Sequence, residues 1–231
     1  MLEFNSFEIC SFDCYGTLID WETGILNSLR SVFERRDIIV ADSELLQLYG
    51  KTESKIQKEA YKPYRDVLIS LAEEIACIYK ISLSGPERTS VVDSIKNWNP
   101  FPDTVAALKK LKSRYKLAVI SNIDDDLFAY SAEKLEIEFD HVITAQQTKS
   151  YKPSHKNFEE ALKRFNVDKS KWLHIAQSIY HDIVPANEMG IASVWVNRKS
   201  ASAGQGATPR AEAVPDIEVK DLDMLVRMIE R

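Results

Sequence analysis

Hydrophobic positions change their spacing along the 231 residues, and each change predicts a different kind of element. Phe7, Ile9 and Phe12 stand among small or polar neighbours, which predicts a short buried strand ending at Asp13. From Trp21 to about Asn97 the pattern becomes helical. Ile25, Leu29, Val32 and Phe33 make one amphipathic stripe, and Asp42-Ser43 predicts a capped start for a helix over Glu44 to Tyr49. Ile56 through Tyr79 predicts one or two further helices, interrupted or restarted at Pro63, with Val67, Leu68, Leu71, Ile75 and Ile78 as the apolar face. Gly85-Pro86 breaks the run before a short helix over Arg88 to Ile95. No strand pattern occurs in this stretch.

After Pro100-Phe101-Pro102, strands and helices alternate. A helix N-capped by Asp103 runs to about Arg114, and the short apolar run Leu117 to Ile120 suits a strand buried on both faces. A helix through Leu127 to Leu135 follows, then a strand at His141 to Thr144, a helix from Phe158 to Phe165 and a strand from Trp172 to Ala176. The remaining elements are a helix from Ile183 to Met189, strands at Ala192 to Val196 and Ile217 to Val219, and a helix from Leu222 to Ile229. Ser200 to Thr208 reads as a mobile loop, and its Gly-x-Gly lacks the strand-to-helix setting of a nucleotide site. Such alternation predicts an α/β fold with a doubly wound, mainly parallel sheet. Residues 1–20 and 98–231 form its core domain, and residues 21–97 form a helical cap over the crevice.

Composition narrows the function classes. A formal net charge of −5 and the lack of Lys/Arg clusters interleaved with aromatics give no footprint for nucleic acid. Three cysteines, Cys10, Cys14 and Cys77, cannot pair completely and show no metal-binding spacing; Cys10 and Cys14 read as small buried hydrophobes. Neither a basic leader with an apolar run nor a bilayer-length apolar stretch is present, so a cytoplasmic protein without membrane contact is expected.

Five groups fall just past predicted strands: Asp13, Thr17, Ser121-Asn122, Lys152, and the segment Ser178 to Asp182. Parallel connectivity brings these strand ends to one edge of the sheet, where α/β proteins bind ligands. Taken singly each has a plain structural reading: Asp13 a turn, Ser121-Asn122 a helix cap, Lys152 a solvated surface charge, Asp182 an N-cap. Taken in order, Phe12-Asp13-Cys14-Tyr15-Gly16-Thr17-Leu18, Val119-Ile120-Ser121-Asn122, Ser150-Tyr151-Lys152-Pro153 and Tyr180-His181-Asp182 resemble the four motifs of the haloacid dehalogenase superfamily. That resemblance implies a Rossmann-like core and a covalent mechanism with Asp13 as nucleophile. It also implies catalytic roles for Thr17, which hydrogen-bonds the nucleophile, for Lys152, which keeps Asp13 ionised, and for Asp182, which fixes Lys152 or handles water.

Two positions choose a branch. Phosphatases of this superfamily carry a second acid two residues after the nucleophile, where this chain has Tyr15, and commonly an Asp four residues before the later acid, where it has Ser178. Without the second acid the leaving group must depart without a proton, as halide does. The chain therefore resembles the L-2-haloacid dehalogenase branch, which needs no metal and no other cofactor. By that resemblance Asp13 displaces halide from C2 of a small 2-haloalkanoate with inversion, and water hydrolyses the ester. Backbone N–H groups of the Asp13 loop, at Cys14 and Tyr15, grip the substrate carboxylate together with Ser121 and Asn122.

Several positions depart from that branch: Phe158 and Ile179 replace a Tyr and an Asn, and His181, Gln177 and Ser178 stand near the gap. The branch's cap Arg near the halide has Arg65 as its nearest counterpart. Asp13 to Gly24, Lys96-Asn97-Trp98, Phe101 to Val105 and Ser121 to Asp124 are similar also to hydrolases of L-azetidine-2-carboxylate, another C2–X bond beside a carboxylate. A homodimer is common among these relatives, and the residues themselves do not specify one.

Overall fold

The computed structural model describes residues 2–198 and 206–230. Six strands, β1 (Ile9–Phe12), β2 (Lys116–Ser121), β3 (His141–Thr144), β4 (Trp172–Ala176), β5 (Ala192–Val196) and β6 (Ile217–Val219), form one sheet. Their order is β3-β2-β1-β4-β5-β6 and every pairing is parallel. The chain winds outward from β1 to β3, returns to the middle, and winds the other way from β4 to β6. Its direction reverses between β1 and β4, so a crevice opens at their carboxyl ends. Phe12 lies level with Val119 and Ile175, so Asp13 leaves the sheet beside the ends of both neighbours.

Five helices stand in a row after β1: α1 (Trp21–Glu34), α2 (Asp42–Gln57), α3 (Tyr64–Ile78), α4 (Gly85–Arg88) and α5 (Ser90–Ser94). No strand occurs between residues 21 and 97. The rest are α6 (Thr104–Lys112), α7 (Asp125–Leu135), α8 (Ala145–Thr148), α9 (Lys156–Phe165), α10 (Val184–Met189) and α11 (Leu222–Ile229), with a π-helical turn at Ile179–Ile183 ahead of α10.

Burial explains the sheet. All four residues of β1 are buried, with Ile9 packing beneath α9 and α10 while Cys10 and Phe12 face the other way. The strand is thus covered on both faces, which the apparent alternation of Phe7, Ile9 and Phe12 did not convey. The second face, under α6 and α11, continues without a break into the helical insertion through Leu18, Ile25, Leu45 and Leu68. Each such fully buried aliphatic side chain contributes about 1.5–3 kcal/mol.

Local differences from the sequence reading have identifiable causes. Helix α2 begins at Asp42 on an Ala41 cap without a side-chain bond, and it continues through Gly50 to Gln57. Glycine suits this helix interior because a Cβ there would stand 1.8 Å from the Ala207 carbonyl oxygen. Gly85-Pro86 starts a helix rather than breaking one: proline occupies the first turn of α4, and the Ser84 amide donates to Glu87 at 2.9 Å. Asp103 sits at the N-cap of α6 without capping it, because its carboxylate accepts from Arg198 at 2.9 Å and from the Leu222 amide at 2.7 Å. Ile78, assigned to the apolar face of α3, is 56% exposed. Gly206 to Thr208 of the predicted loop are described; its remaining residues lie outside the described ones. Among the described residues no helix is long and apolar enough to cross a membrane.

Candidate active site

A cavity of about 40 Å³ lies where the sheet reverses. Its floor is Asp13, Tyr15, Ser121, Asn122, Lys152, Ser178, His181 and Asp182, and its roof is Trp21, Glu53, Gln57, Tyr64 and Thr208. Ordinary ligand pockets measure about 300–1,000 Å³, so this one holds only a compact molecule unless the roof moves.

Asp13 is placed by a tight loop. The carbonyl of Cys14 accepts the amides of Thr17, Leu18 and Ile19, and Gly16 takes φ +95°, a left-handed conformation that glycine adopts freely. The loop returns Thr17 to the carboxylate, where its hydroxyl donates to Asp13 Oδ2 at 2.8 Å. Thr17 Oγ1 in turn accepts the Gln177 amide at 2.9 Å, which locks the hydroxyl's direction.

Lys152 is buried, and all three of its ammonium hydrogens have acceptors: Asp13 Oδ1 at 2.8 Å, Asp182 Oδ1 at 2.6 Å and the Ile120 carbonyl at 2.8 Å. Burial alone would lower its pKa, but the flanking carboxylates outweigh that and hold it above the ordinary value. The two acids divide the cation unequally. Burial pushes the Asp13 carboxyl up, and the charge of Asp182 adds to the rise. Asp182 feels burial too, yet Lys152 and His174 outweigh it and hold its carboxyl down.

A buried relay supports Asp182 from below. Trp172 Nε1 donates to Ser11 Oγ at 2.6 Å, Ser11 Oγ lies 2.7 Å from His174 Nδ1, and His174 Nε2 lies 3.0 Å from Asp182 Oδ1. The indole only donates, so Ser11 passes its hydrogen to Nδ1 and the imidazole presents Nε2–H to Asp182. Neither Ser11 nor His174 stood out in the sequence, where both sit singly inside apolar strands. A lone polar residue in a strand covered on both faces was the available signal.

The remaining expected residues separate into those on the cavity and those off it. Ser121 Oγ and Asp182 Oδ2 are buried without a hydrogen-bond partner at the cavity wall, as atoms awaiting a ligand would be. Tyr15 lines the floor with its hydroxyl 2.9 Å from Ser131 Oγ. Asn122 reaches the cavity, but its side-chain amide is occupied by the backbone of Lys152, which leaves substrate only its main chain. Ser178 accepts the His181 amide at 2.9 Å and caps the π-helical turn. Burial lowers the His181 pKa to about 4, so the ring is neutral at pH 7.

The Cys14 side chain is wholly buried beneath the loop and off the cavity, its thiol pushed far up by burial, so what it can offer the site is the main-chain N–H that was expected of it. Two expectations are corrected. Gln177 contributes its backbone to Thr17 and Trp195 and does not line the cavity. Arg65 also lies off the cavity, paired with Asp126 and close to Asp124 at the start of α3. Phe158 is buried beside Trp172 and His174, within the core.

The helical insertion instead brings Glu53, which sequence reading missed. It is 4% exposed; its Oε1 accepts from Tyr64 Oη at 2.6 Å and lies 3.4 Å from Tyr49 Oη. Burial raises its pKa to about 7 against the pull of these phenols. The Thr-Glu-Ser of an amphipathic helix gives no hint that its acid faces inward.

The pattern common to haloacid dehalogenase-like hydrolases matches residues 11–196. The chain belongs to that family. It is 26% identical over 221 residues to (S)-2-haloacid dehalogenase 4A of Burkholderia cepacia, covering 91% of this chain and 89% of that one. It is 33% identical over 110 residues to glyceraldehyde 3-phosphate phosphatase of Methanothermobacter thermautotrophicus, covering 45% and 47%. The fold is shared with L-2-haloacid dehalogenase of Xanthobacter autotrophicus, with a TM-score of 0.79 at 19% identity over 97% of this chain and 98% of that one.

The HAD-hydrolase YfnB of Bacillus subtilis, which shares the fold with a TM-score of 0.80 at 16% identity, was solved bound to magnesium, and the donor set here does not fit that ion. Both Asp13 oxygens and Asp182 Oδ1 are engaged by Lys152, Thr17 and His174, and Ser178 is bonded to His181. Among the described residues no three His, Cys, Asp or Glu side chains are grouped to hold a metal. Magnesium keeps several of its waters but binds through one or two carboxylates, and here Asp182 Oδ2 is the one oxygen of the two acids left without a partner.

Proposed function

We propose that this hydrolase cleaves the carbon–halogen bond of small (S)-2-haloalkanoates, with residues 21–97 acting as the cap that closes over the substrate. The observation that carries this reading is the Asp13 carboxylate held ready on Lys152, with Tyr15 where a proton-donating acid would otherwise stand. The (S)-2-haloacid dehalogenase of Burkholderia cepacia, aligned over nine-tenths of the chain, supports it.

The substrate carboxylate binds Ser121 Oγ and the main-chain N–H groups of Cys14, Tyr15 and Asn122. An Asp13 oxygen attacks C2 from the floor, the C2–X electron pair leaves with the halide toward the roof, and C2 inverts. Water then adds at the Asp13 carbonyl carbon and the ester opens; one of the water's protons goes to the departing 2-hydroxyalkanoate oxygen and the other to solvent, while Lys152 receives the restored carboxylate. Lys152 also offsets repulsion between the two carboxylates in the first step.

The test is halide release from L- and D-2-chloropropionate, with and without EDTA, beside Asp13→Asn. Release from the L-enantiomer alone, insensitive to EDTA and absent from the variant, supports the reading. A turnover stopped in acid adds the mass of the 1-carboxyethyl group to the peptide carrying Asp13. No halide from any 2-haloacid overturns it.

A further inference from the structure

We propose that Glu53 is the group that receives the departing atom: a neutral carboxyl of the roof whose Oε2 donates a hydrogen bond to the leaving group. This rests on the reading of Asp13 as a nucleophile at C2.

In-line displacement sends the leaving group away from the attacking oxygen. Asp13 is at the sheet edge, so departure is toward the roof, where α2 and α3 lie. The only Arg expected there, Arg65, is turned to Asp124 and Asp126. Glu53 is the roof's ionisable carboxyl, and its hydrogen bonds run in one direction. Tyr49 Oη lies 3.0 Å from Tyr64 Oη, and Tyr64 donates to Glu53 Oε1. Those two phenols occupy Oε1. Oε2 has no partner among the described residues, and the residue lines the cavity. Oε2 is therefore the carboxyl oxygen left to meet a ligand in the cavity.

The charges agree. Among the described residues the floor carries Asp13, Asp182 and a single cation, Lys152, which both acids share. Substrate adds a further carboxylate, and the halide released is an anion too. An ionised Glu53 would repel both, whereas a protonated one solvates the halide without giving up its proton. Electrons balance within the displacement: the Asp13–C2 bond forms as C2–X breaks, X keeps the pair, and the carboxyl hydrogen stays on Glu53. Burial holds this carboxyl protonated to about pH 7. Of the groups in the same cavity, Asp13 is also pushed up by burial, but its ionisation makes the nucleophile and so raises the rate with pH, the opposite sense to Glu53. The phenols of Tyr15, Tyr49 and Tyr64 are pushed above their ordinary value by burial, and His181 ionises near pH 4. Lys152 is held charged by its two carboxylates.

The experiment measures kcat/KM for L-2-chloropropionate from pH 5 to 9, for the wild type, Glu53→Gln and Glu53→Leu, with bromide inhibition of the wild type over the same range. The expected wild-type profile falls about tenfold per pH unit above 7. Glu53→Gln keeps a donor at that atom, so its kcat/KM stays within about tenfold of the wild type at pH 6 and loses the decline above 7. Glu53→Leu falls by about a hundredfold or more at pH 6 and converges on the wild type as the pH approaches 9, where the wild type has lost the same donor. Bromide inhibits the wild type more strongly at pH 6 than at pH 8, a result that needs no variant to fold. A wild-type profile that rises through pH 7, or bromide inhibition indifferent to pH, overturns the assignment of Glu53 while halide release still upholds Asp13. Absence of halide release by the wild type overturns the displacement itself, and this assignment with it.

Discussion

Asn122 holds the backbone of Lys152 at both ends of its side-chain amide: Oδ1 accepts the Lys152 N–H at 2.7 Å and Nδ2 donates to the Lys152 carbonyl at 3.1 Å. The residue that resembles a substrate ligand thus positions the cation of the site.

Asn122→Leu removes both bonds and leaves a part-buried N–H and C=O unpaired, at about 1–3 kcal/mol. Lys152 would then drift from Asp13, so kcat is expected to fall about 10- to 100-fold with KM changed little. Steady-state kinetics and urea unfolding decide it. A rise in KM alone would mean that the side chain serves the substrate after all.

Arg65→Ala separates the cap arginine of the resembling branch from the one seen here. Its guanidinium is 42% exposed and pairs with Asp126, itself 67% exposed, which limits the pair to about 0–1 kcal/mol. Asp124 keeps its main task without it, since its carboxylate accepts the amides of Tyr64 and Arg65 at 2.9 and 3.0 Å at the start of α3. Halide inhibition constants within twofold of the wild type are expected. A tenfold loss of halide affinity would bring Arg65 back to the site.

The sheet was legible because strands buried on both faces leave short apolar runs. Asp13 and Ser121-Asn122 could be read from where β1 and β2 end, whereas Lys152 stands eight residues beyond β3, past α8, and was marked by its Ser-Tyr-Lys-Pro motif rather than by a strand end. What escaped reading depends on side-chain direction. The period of α2 shows which residues are apolar, and Glu53 is not, so nothing in the spacing marks it as inward. Its burial is fixed by Tyr49 on its own helix and Tyr64 on the next. The Ser11 and His174 relay escaped for a similar reason: pairing across β1 and β4 sets Ser11 beside His174, and neither strand alone reveals it.

Gly50→Ala tests the seam between α2 and the segment at Gly206 to Thr208. Alanine favours a helix interior by about 1 kcal/mol over glycine. Here, however, its Cβ would press on the Ala207 carbonyl, and Ala207 also donates its amide to Glu22 at 2.8 Å. Overpacking of this kind costs about 1–3 kcal/mol. A lower unfolding midpoint is expected, with KM raised because Thr208 belongs to the cavity wall. A variant more stable than the wild type with unchanged KM would show that the segment does not press on α2.

Glu53 also leaves a signature in stability, independent of turnover. Its folded pKa is about 7 against 4.5 for the free side chain. Between those values the folded state keeps a proton that the unfolded chain has released, so stability falls as pH rises through this window and levels off above it. A shift of this size corresponds to about 3 kcal/mol lost from pH 4.5 to pH 7 and beyond. Glu53→Gln carries no such titration. Urea unfolding should therefore show the variant gaining on the wild type by up to about 3 kcal/mol at pH 8, with most of that difference gone at pH 4.5. Asp13, whose carboxyl burial also pushes up, titrates in both proteins and cancels in the difference. A difference that is the same at both pH values would mean that Glu53 is already ionised in the folded protein at the lower pH, and that the roof presents a charge to whatever leaves C2.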